Sequence, residues 1–334
     1  MKIKKIKPSI PLILFFILIA IFIFFSIIAD NFLTFRNISS LLKNMTVMGI
    51  MAVGLTPLMI AGRIDLSFGA NLSLTTVFMA LLYGGSLGIG FKEVEEAVSS
   101  EYFDTAGGST SLWLVVIIGI LIATAIGAFN GLVIEKIRVN PLIFTLAMLS
   151  VLQSVAFVYS NKMSIFVGTD EVYNIGELEF FNIPVSIFIL FILLLIYWFF
   201  LKFTKFGRTI YAVGSGAEVS QLFGINVKGT RIILYTLVGF FTGIAAIIVF
   251  FNTGIGSSYH GELLLFPTLS GIVLGGLGFQ GGKGSIISSI LGVLILAFLV
   301  NGLKTLGIQS DQIQIIQGAV FIGAVSFYAI RERK

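Results

Sequence analysis

The chain has 334 residues, 57% hydrophobic and 11% charged, with a net charge of +5, one histidine and no cysteine. That is too little charge to cover a water-facing domain surface, which is typically about a quarter charged. The missing cysteines exclude disulfides, thiolate metal sites and cysteine nucleophiles, and one histidine builds neither a metal centre nor a triad.

The apolar residues fall in runs long enough to cross about 30 Å of hydrocarbon, and in lipid each crossing segment must close its own backbone hydrogen bonds as helix. The first run, 10–29, follows a basic N-terminal segment and is expected to be a retained span, because it is long for a signal peptide and no small-residue cleavage site follows. Nine more follow, at 44–62, 66–88, 112–134, 141–161, 183–201, 231–252, 265–281, 285–304 and 312–330. The second carries Gly49, Gly54, Pro57 and Gly62 and is expected to be broken or only partly crossing. The eighth is short and glycine-rich.

The fold class that follows is all-α: a single polytopic transmembrane helical bundle over residues 1–334, with about ten spans. With both termini cytoplasmic, sixteen of the 21 basic residues lie inside. Only Arg36, Lys43, Lys92, Lys162 and Lys304 are left outside, the bias the positive-inside rule requires. The basic residues punctuate apolar runs and form no stripe, so no nucleic-acid partner is expected despite a pI of 9.3. Two loops stand out. Residues 91–111 form an acidic external insertion with Glu93, Glu95, Glu96, Glu101 and Asp104, either a solvated loop or a docking surface. Residues 202–230 form the longest cytoplasmic connection.

Two nucleotide motifs fail on context. Gly276-Leu-Gly-Phe-Gln-Gly281 matches the dinucleotide fingerprint but joins two membrane spans, without the strand, helix and acidic residue that fingerprint needs. Gly282-Lys-Gly284 lacks the upstream glycine and the hydroxyl after lysine of a phosphate loop. The pairs Gly84/Gly88, Gly127/Gly131 and Gly239/Gly243 read as close helix packing. Asn71, Ser73, Asn130, Gln153, Ser154, Asn252, Thr268, Ser270 and Asn301 lie within spans, where they either line a polar route or bond helices together. His260 reads as an ordinary loop residue. Asp65 and Glu135 sit at span ends, and no span centre holds an ionisable group, which weighs against an ion-coupled carrier. An intramembrane enzyme would need a nucleophile–base pair or metal cluster in the spans, and none is found.

Several segments together resemble the ribose/galactoside/xylose permease family of bacterial ABC importers. Arg63-Ile-Asp-Leu-Ser-Phe-Gly69 is similar to its G-I-D-L-S-x-G signature, carried by Asp65, Leu66, Ser67 and Gly69. Asn130-Gly-Leu132 and Pro141-Leu-Ile-Phe-Thr-Leu146 resemble its N-G-L and P-F-I-x-T-L pair. Phe206-Gly-Arg208, Ala212-Val-Gly214 and Gly224-Ile225 resemble its cytoplasmic loop. Gly275-Gly276, Gly281 to Ser285 and Asn301-Gly-Leu303 complete the match, in order from about residue 40 onward. Departures are Arg63 for a usual glycine, Gly216 for asparagine, Val219-Ser220 for an alanine pair, and Phe266-Pro-Thr268 in place of a Glu-Leu-Asp run.

The resemblance implies a multi-pass permease in the bacterial cytoplasmic membrane that moves a sugar by alternating access. The partners implied are a second permease copy or paralogue, two cytoplasmic ATPase subunits and an extracellular sugar-binding protein. No cofactor is expected on this chain, ATP-Mg being used by the ATPase. The resemblance further implies a coupling helix near Ala217–Phe223, with Gly214, Gly216 and Gly224 letting the backbone turn and Glu218 and Leu222 meeting the ATPase. Asn71, Ser73, Asn130, Gln153, Asn252, Thr268 and Ser270 are the expected pathway residues. Competing readings are a nucleoside or branched-chain amino-acid ABC permease, and an ion-coupled carrier.

Overall fold

The computed structural model describes residues 10–84, 86–87, 110–167 and 169–332. The acidic insertion therefore lies almost entirely outside the described residues.

The helices are α1 (Ile10–Ile28), α2 (Phe35–Ile60), α3 (Phe68–Tyr83), α4 (Leu112–Val133), α5 (Pro141–Ser160), α6 (Asp170–Gly176) and α7 (Val185–Phe203). They continue with α8 (Lys205–Ser215), α9 (Ala217–Leu222), α10 (Val227–Thr253), α11 (His260–Leu274), α12 (Ile286–Thr305) and α13 (Ser310–Glu332). Seven are long and apolar enough to cross a membrane: α1, α2, α4, α5, α7, α10 and α12. Helices α3 and α11 are shorter apolar helices. Each of the ten apolar runs of the sequence thus contains a helix.

Punctuation in the sequence sets several boundaries. Asn140 caps α5 by accepting from the backbone N–H of Leu142 at 3.0 Å, with Pro141 at the first helical position, where its missing N–H costs nothing. Asn226 and Thr204 cap α10 and α8 in the same way. Helix α4 does not stop at Val133. It widens into a π turn over Ile134–Arg138, ended by Arg138 at φ 64°.

Helices α2, α10 and α12 are mostly buried, whereas α1, α5 and α7 turn most of their surface outward. That outer surface is apolar: Phe16, Ile27, Ile143, Val158 and Phe191 are among its exposed side chains. A patch of this kind has no place in water but matches hydrocarbon. The inner packing relies on glycine. Gly127 of α4 and Gly239 of α10 face each other backbone to backbone, and Gly131 and Gly243 extend the seam against Tyr235 and Ile120. Packing is therefore the meaning of those two pairs. Gly84 instead closes α3 in the left-handed conformation, and Gly88 is outside the described residues.

One expectation needs correction. The second run is not broken: α2 is continuous over 26 residues with Pro57 inside it, near the C-terminal end, where one missing N–H interrupts few bonds. The irregular backbone lies instead ahead of α11. After α10 the chain passes through the two-residue strand β5 (Ile255–Gly256), which pairs with β2 (Ile165–Phe166), itself paired with β1 (Ser86–Leu87). A small hairpin joins β3 (Glu179–Phe180) to β4 (Ile183–Pro184), so the helical fold carries one short hairpin and one three-stranded seam between distant segments. From β5 the chain runs back into the bundle, with Ser257 and Ser258 buried. Helix α11 begins where Gly261 meets the backbone of Gly69 at the first turn of α3.

Buried irregular backbone needs side-chain partners. Ser73 accepts from the Gly261 N–H at 2.8 Å, Gln153 donates to the Ser258 carbonyl, and Thr76 donates to the Ser257 carbonyl at 3.4 Å.

Candidate functional site

Two regions at opposite ends of the bundle concentrate polar groups. The first surrounds α9. Its base is rigid because three segments interlock there. Gly282 donates its N–H to the Ile60 carbonyl at 2.7 Å, and Tyr211 of α8 donates to the Gly284 carbonyl at 3.0 Å. Burial raises the Tyr211 hydroxyl above its ordinary value. A Cβ on Gly214 would collide with the Ile60 carbonyl, so Gly214 serves close packing inside α8 and not a turn. Gly216 is extended at φ −179°, while Gly224 is left-handed at φ 80° and turns the chain out of α9. On this base the short helix holds an apolar tip in the open. Leu222 is 87% exposed and Phe223 83%, with Val219 and Glu218 also exposed.

Behind α9 lies a buried charge cluster drawn from three distant stretches of sequence. Arg63, in the α2–α3 connection, donates its Nε to Glu135 Oε1 at 2.7 Å. Arg231, in the first turns of α10, stands 3.8 Å from Glu135 Oε2 and reaches the Ala61 carbonyl at 3.5 Å. The π turn positions Glu135 between the two guanidinium groups, and such turns are frequent at functional positions. Alongside, Asp65 Oδ1 accepts from the Ser67 backbone N–H at 2.8 Å and from its hydroxyl at 2.6 Å. Asn130 then donates to Ser67 Oγ at 2.8 Å. Burial pushes the Asp65 carboxyl up from its ordinary value, while the bonds from Ser67 pull it down.

At the other end, a cavity of about 280 Å³ opens between α2, α10, α11, α12 and α13. Its polar wall includes Asn44, Asn252, Thr253, His260, Asn301 and Gln317, with Lys304 at the edge it shares with a neighbouring cavity of about 470 Å³. These amides and hydroxyls can each donate and accept.

The family model described as "Branched-chain amino acid transport system / permease component" matches residues 37–325. The chain belongs to this family. Among curated relatives, the ribose import permease protein RbsC of Escherichia coli (strain K12) is 33% identical over 94% of this chain and 91% of its own length. The protein of the same description from Bacillus subtilis (strain 168) is 31% identical over 96% and 92%. The L-arabinose ABC transporter permease protein AraH of Azospirillum brasilense is 27% identical over 95% and 87%. No solved structure matches the chain significantly.

The resemblance drawn from motifs is thus borne out, and the structure gives those motifs a physical sense. The Asp65–Ser67 segment and Asn130 are one hydrogen-bonded unit, and Gly69 is the point where the α3 and α11 backbones touch. Leu66 packs on the main core. Of the expected pathway residues, Asn252 lines the smaller cavity and Ser270 the larger. Asn71 donates to the Ala123 carbonyl, while Ser73, Asn130 and Gln153 make the bonds described above. Thr268 is fully buried, with no partner for its hydroxyl among the described residues.

His260 is not a loop residue. It opens α11 and lines the cavity, 3.4 Å from Thr76 Oγ1. Sequence reasoning also passed over Asn44, Gln317 and the Arg63–Glu135–Arg231 cluster. The substitution of arginine at position 63 was the signal that an extra charge there needs a partner.

The cluster carries a stability prediction. Removing Glu135 leaves two arginines without their carboxylate, so Glu135→Ala should cost about 3 kcal/mol. Arg63→Gly should cost less, about 1 kcal/mol, because Arg63 is partly exposed and Arg231 remains beside Glu135. Thermal unfolding of the full chain in an uncharged detergent measures both, and the reverse ranking would refute the central role of Glu135.

Proposed function

We propose that this chain is the membrane-spanning permease subunit of an ATP-driven sugar importer in a bacterial cytoplasmic membrane. The observation that carries the reading is the apolar tip of α9, held in the open on a buried, hydrogen-bonded base in a chain of the permease-component family. A free surface of this kind fits a groove on a partner, and a cytoplasmic ATPase subunit is the partner the reading assigns. ATP-Mg is then used by that subunit.

The orientation follows from charge. Arg63, Lys136, Arg138, Lys202, Lys205, Arg208, Lys228, Arg231 and Lys283 belong to the α9 end, against Arg36, Lys43, Lys162 and Lys304 at the other. The α9 end is therefore cytoplasmic in this reading, with ten spans and both termini inside. The polar cavities at the opposite end would receive the solute from an extracellular binding protein. A second permease copy or paralogue would complete the pathway, and alternating access would release the solute inward. Sugar is the favoured solute because the relatives named above are described as ribose and L-arabinose permeases. The amide- and hydroxyl-rich wall suits a polyol that donates and accepts at each hydroxyl.

A tagged pull-down from gently solubilised native membranes tests the partner. A P-loop ATPase should accompany the unmodified chain and be lost with Glu218→Lys, which reverses the charge on the exposed face of α9. Recovery with both proteins would move the contact off Glu218. If no ATPase accompanies the unmodified chain in any mild detergent, the ABC reading fails, and uptake driven by an ion gradient becomes the reading to pursue.

A further inference from the structure

Between α9, the π turn of α4, the start of α10 and the α2–α3 connection lies a cavity of about 340 Å³. Its charged lining consists of Arg63, Arg138, Lys228 and Arg231 against Glu135 and Glu218. We propose that this cavity is a binding site for a phosphate-bearing anion.

The argument begins with Arg231. A guanidinium carries five N–H donors, and this one is about nine-tenths buried. Its bond to the Ala61 carbonyl is long at 3.5 Å, and Glu135 at 3.8 Å is an ion-pair neighbour outside hydrogen-bonding distance. Its Nε has no partner among the described residues. Buried cations left this poorly bonded are costly, and a planar fork of donors suits a tetrahedral oxyanion. Glu135 does not fill the need, because its short bond goes to Arg63. Asp65 does not either, since among the described residues it makes neither an ion pair nor a hydrogen bond to Arg231 and its bonds are with Ser67. Arg138 and Lys228 are exposed at the rim, where they add positive charge and access from the surface.

The occupant is defined by chemistry: a phosphate group, either free in solution or on the headgroup of an anionic lipid. Ala217, Glu218 and Gln221 of α9 also line the cavity. An occupant would therefore tie α9 to the α2–α3 connection and adjust ATPase coupling. That consequence rests on the role proposed above for α9, whereas the binding itself does not.

The test uses the purified full chain in an uncharged maltoside detergent, titrated with inorganic phosphate at constant ionic strength against chloride. The unfolding midpoint should rise saturably by several degrees. Glu135→Gln removes the competing carboxylate and should tighten phosphate about tenfold, even though that protein starts less stable. Arg138→Gln with Lys228→Gln changes only exposed side chains and should weaken phosphate by about the same factor. A purely structural cluster would not yield tighter binding on losing Glu135.

In a second arm, native mass spectrometry of the chain from nanodiscs with and without phosphatidylglycerol identifies the source. Retention of that lipid, lost in the Arg138/Lys228 double variant, assigns the site to a headgroup. A response to inorganic phosphate alone assigns it to a soluble anion. An absence of response to both, or responses equal in all three proteins, overturns the proposal.

Discussion

Leucine in place of Gly239 should leave almost no folded protein in the membrane. Helices α4 and α10 form the most extensive helix pair among the described residues, and they cross with backbone against backbone at Gly127 and Gly239. A Cβ on Gly239 would collide with the Ala123 carbonyl and stand 3.1 Å from the Gly127 Cα. A flexible side chain can swing aside, but helix backbone cannot without moving the whole α4 segment. That segment also carries Asn130 and Glu135 into the polar network. Overpacking of this kind costs several kcal/mol, here on the order of 5 kcal/mol or more, which is comparable to the net stability of many domains. Gly323→Leu is the matched control, since nothing lies within 4 Å of the Cβ position there. Size-exclusion profiles of detergent extracts should give a monodisperse peak for the control and aggregate or nothing for Gly239→Leu. A normal peak for Gly239→Leu would mean that the α4–α10 crossing is wrong.

That crossing also indicates what could be read from the chain alone. The spans were legible because hydropathy averages over the length of a helix, and the Gly127/Gly131 and Gly239/Gly243 spacing marked close packing before any partner helix was known. The break ahead of α11 was hidden by the same averaging. Ser257, Ser258 and Tyr259 are a brief polar interval between apolar runs, and nothing local says that the chain turns inward there instead of emerging. With the break unseen, the bonds that Ser73 and Gln153 make to its irregular backbone were unseen too. The charge cluster was hidden for a different reason. Arg63, Glu135 and Arg231 are separated by tens of residues and lie at the ends of three different spans, so each reads singly as a topological marker. Only the packing of α2, α4 and α10 brings them together, and the π turn that aims Glu135 has no sequence signature of its own.

The α9 tip lies between these cases. Its helix was legible from the family resemblance, with Leu222 and Phe223 inside its expected bounds, but the exposure of Phe223 was not. Its exposure makes it the sharper probe. Leu222→Ser combined with Phe223→Ser should leave the fold intact, with a stability change within about 0.5 kcal/mol, because side chains 87% and 83% exposed lose almost no packing. If the tip seats in an ATPase groove, each truncation removes an apolar anchor worth about 2 kcal/mol at an interface. The pair should then weaken association by a factor of about 100 to 1,000. Uptake of labelled ribose or arabinose into proteoliposomes holding the whole transporter should fall with it, while the monodisperse yield of the permease stays level. Restoring leucine at 222 alone should recover part of the loss, since two anchors in one groove act together but not identically. Unchanged uptake with an intact fold would place the coupling contact elsewhere and leave the exposed tip without a partner. A collapse in yield would mean that Leu222 and Phe223 pack against this chain itself, contrary to their exposure.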